Sequence, residues 1–286
     1  MEMEQKTLLV VLAHPDDESF GMGGTLALYA RRGVDVYLVC ATRGEVGDVD
    51  IKYLDGYTSV AERREAELRC AAQKLGLKDV FFLNYRDSGM PGSPDNHHPQ
   101  ALVAQPLEKV AQEIVHYMRM LRPQVVITFD PIGGYRHPDH IAVHNATVSA
   151  FHAAGDPAYA PTEIPAYQPQ KLYFHTIPHT LLNMAVKVMP IFGKDPRRFG
   201  RNNDIDLVSI AEVRFPVHAR INYRNVTNIR EDASACHASQ DGGRLMGGPL
   251  NSLRRLLSAS YETFMRAYPE PQPHMPIEQD LFEGLA

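Results

Sequence analysis

The chain opens on an unbroken apolar run, Thr7–Ala13 (TLLVVLA), with no polar alternation, the pattern of a strand buried on both faces. Similar runs recur at Val34–Ala41, Asp79–Asn84, Gln124–Asp130 and Lys171–Ile177. Between them the apolar positions switch to helical spacing. The pattern predicts helices over Gly23–Arg32, Ser59–Leu75 (stopped by Gly76), Pro106–Leu121 and from Pro138 to about Ala153. Strand and helix in alternation predict right-handed crossovers and a Rossmann-like, mostly parallel sheet with helices on both faces. Beyond residue 154 the pattern weakens. Four prolines in Asp156–Gln170 predict a long ordered loop, and Asp195–Asp206 is polar and irregular. Helices are expected over Glu231–Gln240 and Pro249–Tyr268, and an extended Pro-rich tail from Pro269. The expectation is one α/β domain over 1–286, with a core over about 6–178 and an elaborated C-terminal third over about 179–286.

Composition narrows the function classes. The 286 residues carry 29 Lys and Arg against 34 Asp and Glu, a formal charge of −5, which argues against a nucleic-acid polyanion or an anionic membrane as partner. The longest apolar run, Leu8–Ala13, is far too short to cross a bilayer, and the opening Met-Glu-Met-Glu-Gln lacks the basic start of a secretory signal. Three scattered cysteines, Cys40, Cys70 and Cys236, read as neither a disulfide framework nor a zinc knuckle. The expected setting is the reducing cytoplasm.

Ligands of open parallel sheets bind beyond the carboxyl ends of the strands. Four strands in succession deliver chemistry there: His14-Pro-Asp16-Asp17-Glu18, then Thr42-Arg43-Gly44-Glu45, then Tyr85-Arg-Asp87-Ser-Gly89, then Gly133-Gly-Tyr135-Arg-His137-Pro-Asp139-His140. A nucleotide-binding turn would put glycines directly after the first strand; here three acids would repel a phosphate, so the turn is suited to a cation. Histidines with an aspartate form a ligand set for Zn²⁺ or a similar divalent ion with one position open to water. His144, a turn further into its helix, reads as packing at least as readily as ligation. Asp139 can cap its helix, Arg43 can pair with Glu45, Arg64 with acids of its own helix, Asp87 can open an Asp-Ser-Gly turn, and His237 reads as a buried core histidine.

Ala13-His-Pro-Asp-Asp-Glu18 followed by Gly21-Met-Gly-Gly24, together with His137-Pro-Asp-His140, resembles the PIG-L/LmbE-like family of zinc-dependent de-N-acetylases, with supporting matches at Thr42–Glu45, Arg64–Glu67 and His237–Gln240. The loops Tyr85–Met90 and Gly133–His137 are most similar to the mycothiol-pathway deacetylase and amidase branch. The resemblance implies metal ligands His14, Asp17 and His140. It implies Asp16 as the general base toward a metal-bound water, Asp139 orienting His137 as oxyanion stabiliser or acid, and Tyr135 polarising the carbonyl. Arg43, Arg64 and Asp87 are candidates for substrate binding. The expected function is a Zn²⁺-dependent hydrolase removing an acetyl group from an amino sugar or small glycoconjugate. An amidase for a larger thiol-conjugate amide is the rival enzyme reading. A non-catalytic sugar- or nucleotide-binding module is the rival from another class, and the complete acid and ligand set argues against it. Expected partners are a small N-acetylated sugar, no nucleic acid and no membrane insertion, with homo-oligomerisation left open. The segments 156–170 and 195–206 depart from the family pattern and bear on the shape of the sugar pocket.

Overall fold

The computed structural model describes residues 5–159, 163–200, 202–242 and 260–285. In chain order the elements are β1 (Thr7–Leu12), α1 (Asp17–Arg31), β2 (Asp35–Thr42), α2 (Val60–Leu75), β3 (Asp79–Tyr85), α3 (Leu107–Leu121), β4 (Val125–Phe129), the single turn α4 (Gly133–Arg136), α5 (Pro138–Ala154), β5 (Lys171–Thr176), α6 (His179–Val188), α7 (Leu207–Ala211), β6 (Ala219–Asn222), α8 (Thr227–Cys236) and β7 (Tyr261–Tyr268). The seven strands form one mixed sheet in the order β3-β2-β1-β4-β5-β7-β6. The first five run parallel; β7 is antiparallel to β5, and β6 to β7. The chain leaves β1 toward β2 and β3, then returns to the other side of β1 as β4. The crevice where such a sheet takes ligands therefore lies between the carboxyl ends of β1 and β4.

Local chemistry accounts for most boundaries. Every residue of β1 is buried, as its unbroken apolar run requires. Ser59 Oγ accepts the Glu62 N–H (3.1 Å) to start α2, and Gly76 ends it in the left-handed region at φ 78°. The helix expected from Gly23 begins earlier, at Asp17, and is kinked at Met22 (φ −135°, ψ 21°). The interrupted ladder is completed by side chains from the C-terminal third. Glu262 accepts the Gly24 and Thr25 N–H groups (3.1 and 2.7 Å), and Arg230 donates to the Phe20 carbonyl (2.8 Å).

The C-terminal third departs from expectation in three places. Residues 261–268, expected as helix, form β7, while 249–259 of that expected helix lie outside the described residues. The aromatic and β-branched residues of YETFMRAY suit a pleated strand, and β5 and β6 offer ladders on either side. The tail is not simply extended: it folds back, bridges Ala219 through Glu278, and buries Leu281 and Phe282 in the core. Cys70 and Cys236, expected as free thiols, form a disulfide between α2 and the end of α8, with Cα atoms 5.9 Å apart. Among the described residues no helix is long and apolar enough to cross a membrane.

Candidate active site

The turn after β1 is shaped by its own residues. The His14 N–H donates to Asp17 Oδ2 (2.8 Å), which draws the two side chains to one side, and Asp16 between them sits at φ 132°, in the region that favours glycine. Across the crevice, His137 caps α5: its Nδ1 accepts the Asp139 N–H (3.2 Å), and Pro138 occupies the first helical position, where no N–H is needed. His140, one residue on from Asp139, lies flat against Phe129 at the end of β4, with ring centroids 3.9 Å apart.

These two turns bring His14, Asp17 and His140 together. His14 Nδ1 lies 3.2 Å from His140 Nε2 and 3.7 Å from Asp17 Oδ2, and His140 Nε2 lies 3.2 Å from Asp17 Oδ1. A tetrahedral ion with bonds of about 2.0–2.1 Å asks for ligand atoms about 3.3 Å apart. The outer ring nitrogens fix which atoms can ligate. His14 Nε2 faces Asp139 Oδ2 (3.1 Å), and His140 Nδ1 faces the Gly133 carbonyl (3.2 Å). With protons on those outer atoms, both inner nitrogens present lone pairs to each other beside a carboxylate, an arrangement that fits a cation. The surroundings favour positive charge: burial opposes it, yet Asp87 and Asp139 hold His14 well above the usual imidazole range. Asp17 is held low despite its burial, chiefly by His140.

Two different trios, His14-His137-His140 and His14-Asp87-Asp139, each bring one ligand atom per residue within 4.8 Å of one another. In the first, His137 Nδ1 is already taken by the Asp139 N–H. In the second, Asp139 already accepts from Ser88 N–H (2.9 Å) and Ser88 Oγ (2.5 Å), and Asp87 accepts the Gly89 N–H (2.8 Å). Protein donors thus occupy part of what those trios would offer a metal, as the His14 N–H occupies Asp17 Oδ2.

Asp16 lines the same cleft as His14. Its carboxylate pairs with Arg64 (2.9 Å), whose guanidinium also donates to the Pro15 and Gly44 carbonyls (both 2.8 Å). Burial pushes Asp16 up to about 6, against the pull of Arg64. Arg64 is therefore not an exposed partner of its own helix; it is buried beneath the turn, fastens Asp16 and forms part of the cleft wall. Gly44 permits this, because a Cβ there would collide with the guanidinium. In Thr42–Glu45 the glycine, rather than the arginine, serves the site. Arg43 does not line the cleft; it pairs with Glu65 (2.6 Å) rather than with Glu45, bonds Asn84 and lies 4.7 Å over the Phe82 ring.

Asp139 differs from expectation too. Its carboxylate lies against His14 and Ser88, and only its backbone N–H reaches His137. It orients the β1 histidine, and the α5 cap belongs to His137 rather than to Asp139. With Nδ1 accepting, the His137 ring carries its proton on Nε2, and burial beside His14 and His140 holds it well below the usual imidazole range. Asp87 makes the expected Asp-Ser-Gly turn, lies 3.5 Å from His14 Nε2 and lines the cleft. The Tyr135 ring stands 5.9 Å from His137 and 4.9 Å from His140. His144 is outside the site, with Nδ1 on the Phe129 carbonyl (2.8 Å). His237 is fully buried as expected, and bonds Glu18 (2.7 Å). The link of Glu18 to His237 and that of Ser88 to Asp139 are not legible in the sequence, because these partners are remote along the chain.

The cleft above these residues holds about 390 Å³. Asn202, Asp204 and Ile205 form part of its wall, so the 195–206 segment does shape the pocket. No described residue of 156–170 lines the cleft; Arg119 donates to the carbonyls of Asp156 and Tyr159 in it and of Ala154 just before it.

Comparison with known proteins bears on the family and the fold. The family described as PIG-L, GlcNAc-PI de-N-acetylase, matches residues 9–151. The 1D-myo-inositol 2-acetamido-2-deoxy-alpha-D-glucopyranoside deacetylase of Geodermatophilus obscurus is 34% identical over 294 residues, covering 98% of each chain. Among solved structures, N,N'-diacetylchitobiose deacetylase from Pyrococcus horikoshii superposes with a TM-score of 0.62 at 20% identity, covering 92% of this chain and 84% of that one. The 4-carboxy-2-hydroxymuconate hydratase of Pseudomonas putida gives 0.62 at 19%, covering 95% and 100%. The last two likenesses speak for the fold alone, and they show that one architecture carries both amide hydrolysis and hydration.

Proposed function

The chain belongs to the PIG-L family, and on that premise we propose that it removes the acetyl group from an N-acetylated amino sugar joined to a small polyol such as inositol. The observation that carries the reading is the approach of His14 Nδ1 to His140 Nε2 (3.2 Å) beside the Asp17 carboxylate, whose Oδ1 lies 3.2 Å from His140 and whose Oδ2 lies 3.7 Å from His14, with the outer ring nitrogens already engaged. These residues would hold one divalent ion, for which we propose zinc. When bound, such an ion polarises the amide carbonyl and brings a water to a pKa of about 7.

The chain's own groups do the rest. Asp16, fastened by Arg64 and raised to about 6, takes the proton of the attacking water at neutral pH. His137, with its proton on the nitrogen not used for capping, donates to the oxygen that gains charge as the carbonyl becomes tetrahedral. The proton gathered on Asp16 then passes to the departing amine, which leaves as the free amino sugar. Tyr135 offers a further donor from the cleft wall, and Asp87 accepts from a sugar or polyol hydroxyl. A cleft of about 390 Å³ accommodates a ligand of disaccharide size. The proposed compartment is the cytoplasm, where the Cys70–Cys236 pair would meet the cellular thiol pool.

An amine-release assay tests the proposal. The zinc-loaded protein should release amine and acetate from N-acetylglucosaminyl-inositol faster than from free N-acetylglucosamine, and a chelator should stop both. Release of a larger acid from a conjugate, with no acetate from any sugar, would favour the amidase instead. No release from any amide would remove the catalytic reading.

A further inference from the structure

Asp16 is held from a second side, and through a residue that plays no part in the chemistry described above. Its backbone N–H donates to Glu18 Oε2 (3.0 Å). The other oxygen of that fully buried carboxylate accepts from Ser19 Oγ (2.5 Å) and from His237 Nε2 (2.7 Å). His237 follows α8 and is itself fully buried, against the edge of the Phe20 ring. Its loop is fixed to α2, where Glu67 accepts the Ser239 N–H (2.8 Å) and hydroxyl (2.6 Å), and the Cys70–Cys236 disulfide joins the same two elements. The helix that supplies Arg64 to the Asp16 carboxylate therefore also carries the strut that supplies His237 to its backbone.

We infer that His237 is a positioning residue for Asp16, acting through Glu18. A carboxylate with no exposure to solvent needs donors to remain where it is, and His237 is the one reaching it from outside its own turn. Asp16 stands at φ 132°, a conformation that persists only while its surroundings enforce it. Loss of His237 would leave Glu18 under-bonded, release the Asp16 N–H, and let the backbone relax out of that region. The Asp16 carboxylate would then swing from its place beside the cleft. The inference rests on the reading of Asp16 as base, although the displacement itself does not.

The test compares His237→Ala with His237→Gln, whose amide nitrogen stands near the position of Nε2. In His237→Ala the account expects kcat to fall about 10–100-fold, with KM and metal content within about twofold of the parent protein. His237→Gln should restore most of the loss. Crystal structures of the two variants supply a readout independent of activity: Asp16 should leave its positive φ in the Ala variant and keep it in the Gln variant. If the parent protein proves inactive on every amide, the proposed function fails while the crystal structures still decide this inference. An Ala variant whose Asp16 is undisturbed, or whose lost activity simply follows lost metal and is not recovered by Gln, would overturn it.

Discussion

The two ends of the sheet bury polar groups for opposite purposes. At the carboxyl edge of β1, β2, β3 and β4, His14, Asp16, Asp87 and His137 open into one cleft. In the antiparallel extension, the buried charges turn inward, toward backbone or one another. Glu262 of β7 completes the kinked α1, and Lys171 and Arg266 share Glu278 (both 2.8 Å). The first region turns its polar groups toward a ligand-sized cleft; the second turns most of its own toward other parts of the protein. Chemistry and bracing are thus divided between the parts of the chain, and substitutions in the two should fail in different ways.

The largest effect is expected at the cleft. His140→Ala removes one of the three proposed ligands, the minimum for such a site, and should abolish both bound zinc and turnover, as read by metal analysis and amine release. Next comes His137→Ala, which should keep its metal yet lose roughly 10²–10³-fold in kcat, the usual cost of removing one oxyanion donor. A zinc-free His137→Ala protein would instead assign that ring to the metal. The bracing region should respond in stability. Glu262→Gln leaves a buried N–H of Gly24 or Thr25 without its acceptor and weakens the contact with Arg230, costing about 1–3 kcal/mol in denaturant melts while metal content stays unchanged. Arg43→Ala marks the small end of the scale. Its partly exposed pair with Glu65 is worth about 1 kcal/mol or less, and KM should stay within about twofold. A large rise in KM there would point to a role in substrate binding.

How far the sequence could be read follows the same division. Strands β1 to β5 and helices α2, α3 and α5 are visible in it because apolar runs and helical spacing are local signals, and the motifs after β1 and β4 stand at the ends of those runs. The first turn of α1 was not visible, since Glu262 and Arg230, which complete its interrupted ladder, lie more than two hundred residues away. The β7 segment carries a helical pattern in the sequence because its charges, Glu262 and Arg266, are buried among partners that spacing does not reveal. The roles of Arg64 and Asp139 shifted for a like reason. Residue type told what each could bind, and only the fold determined that Arg64 reaches Asp16 and that Asp139 reaches His14.

The central claim is that two adjoining acids do different work: Asp17 holds the metal with His14 and His140, while Asp16, turned toward Arg64, handles the proton. Zinc stoichiometry of Asp16→Asn and Asp17→Asn, purified and loaded side by side, tests it most directly. The same isosteric change is made at neighbouring positions, so a general effect on folding would strike both. The account predicts about one equivalent of zinc in Asp16→Asn, with kcat down roughly 10²–10⁴-fold, and a large loss of zinc in Asp17→Asn. Zinc lost from Asp16→Asn and retained by Asp17→Asn, or retained equally by both, would contradict it.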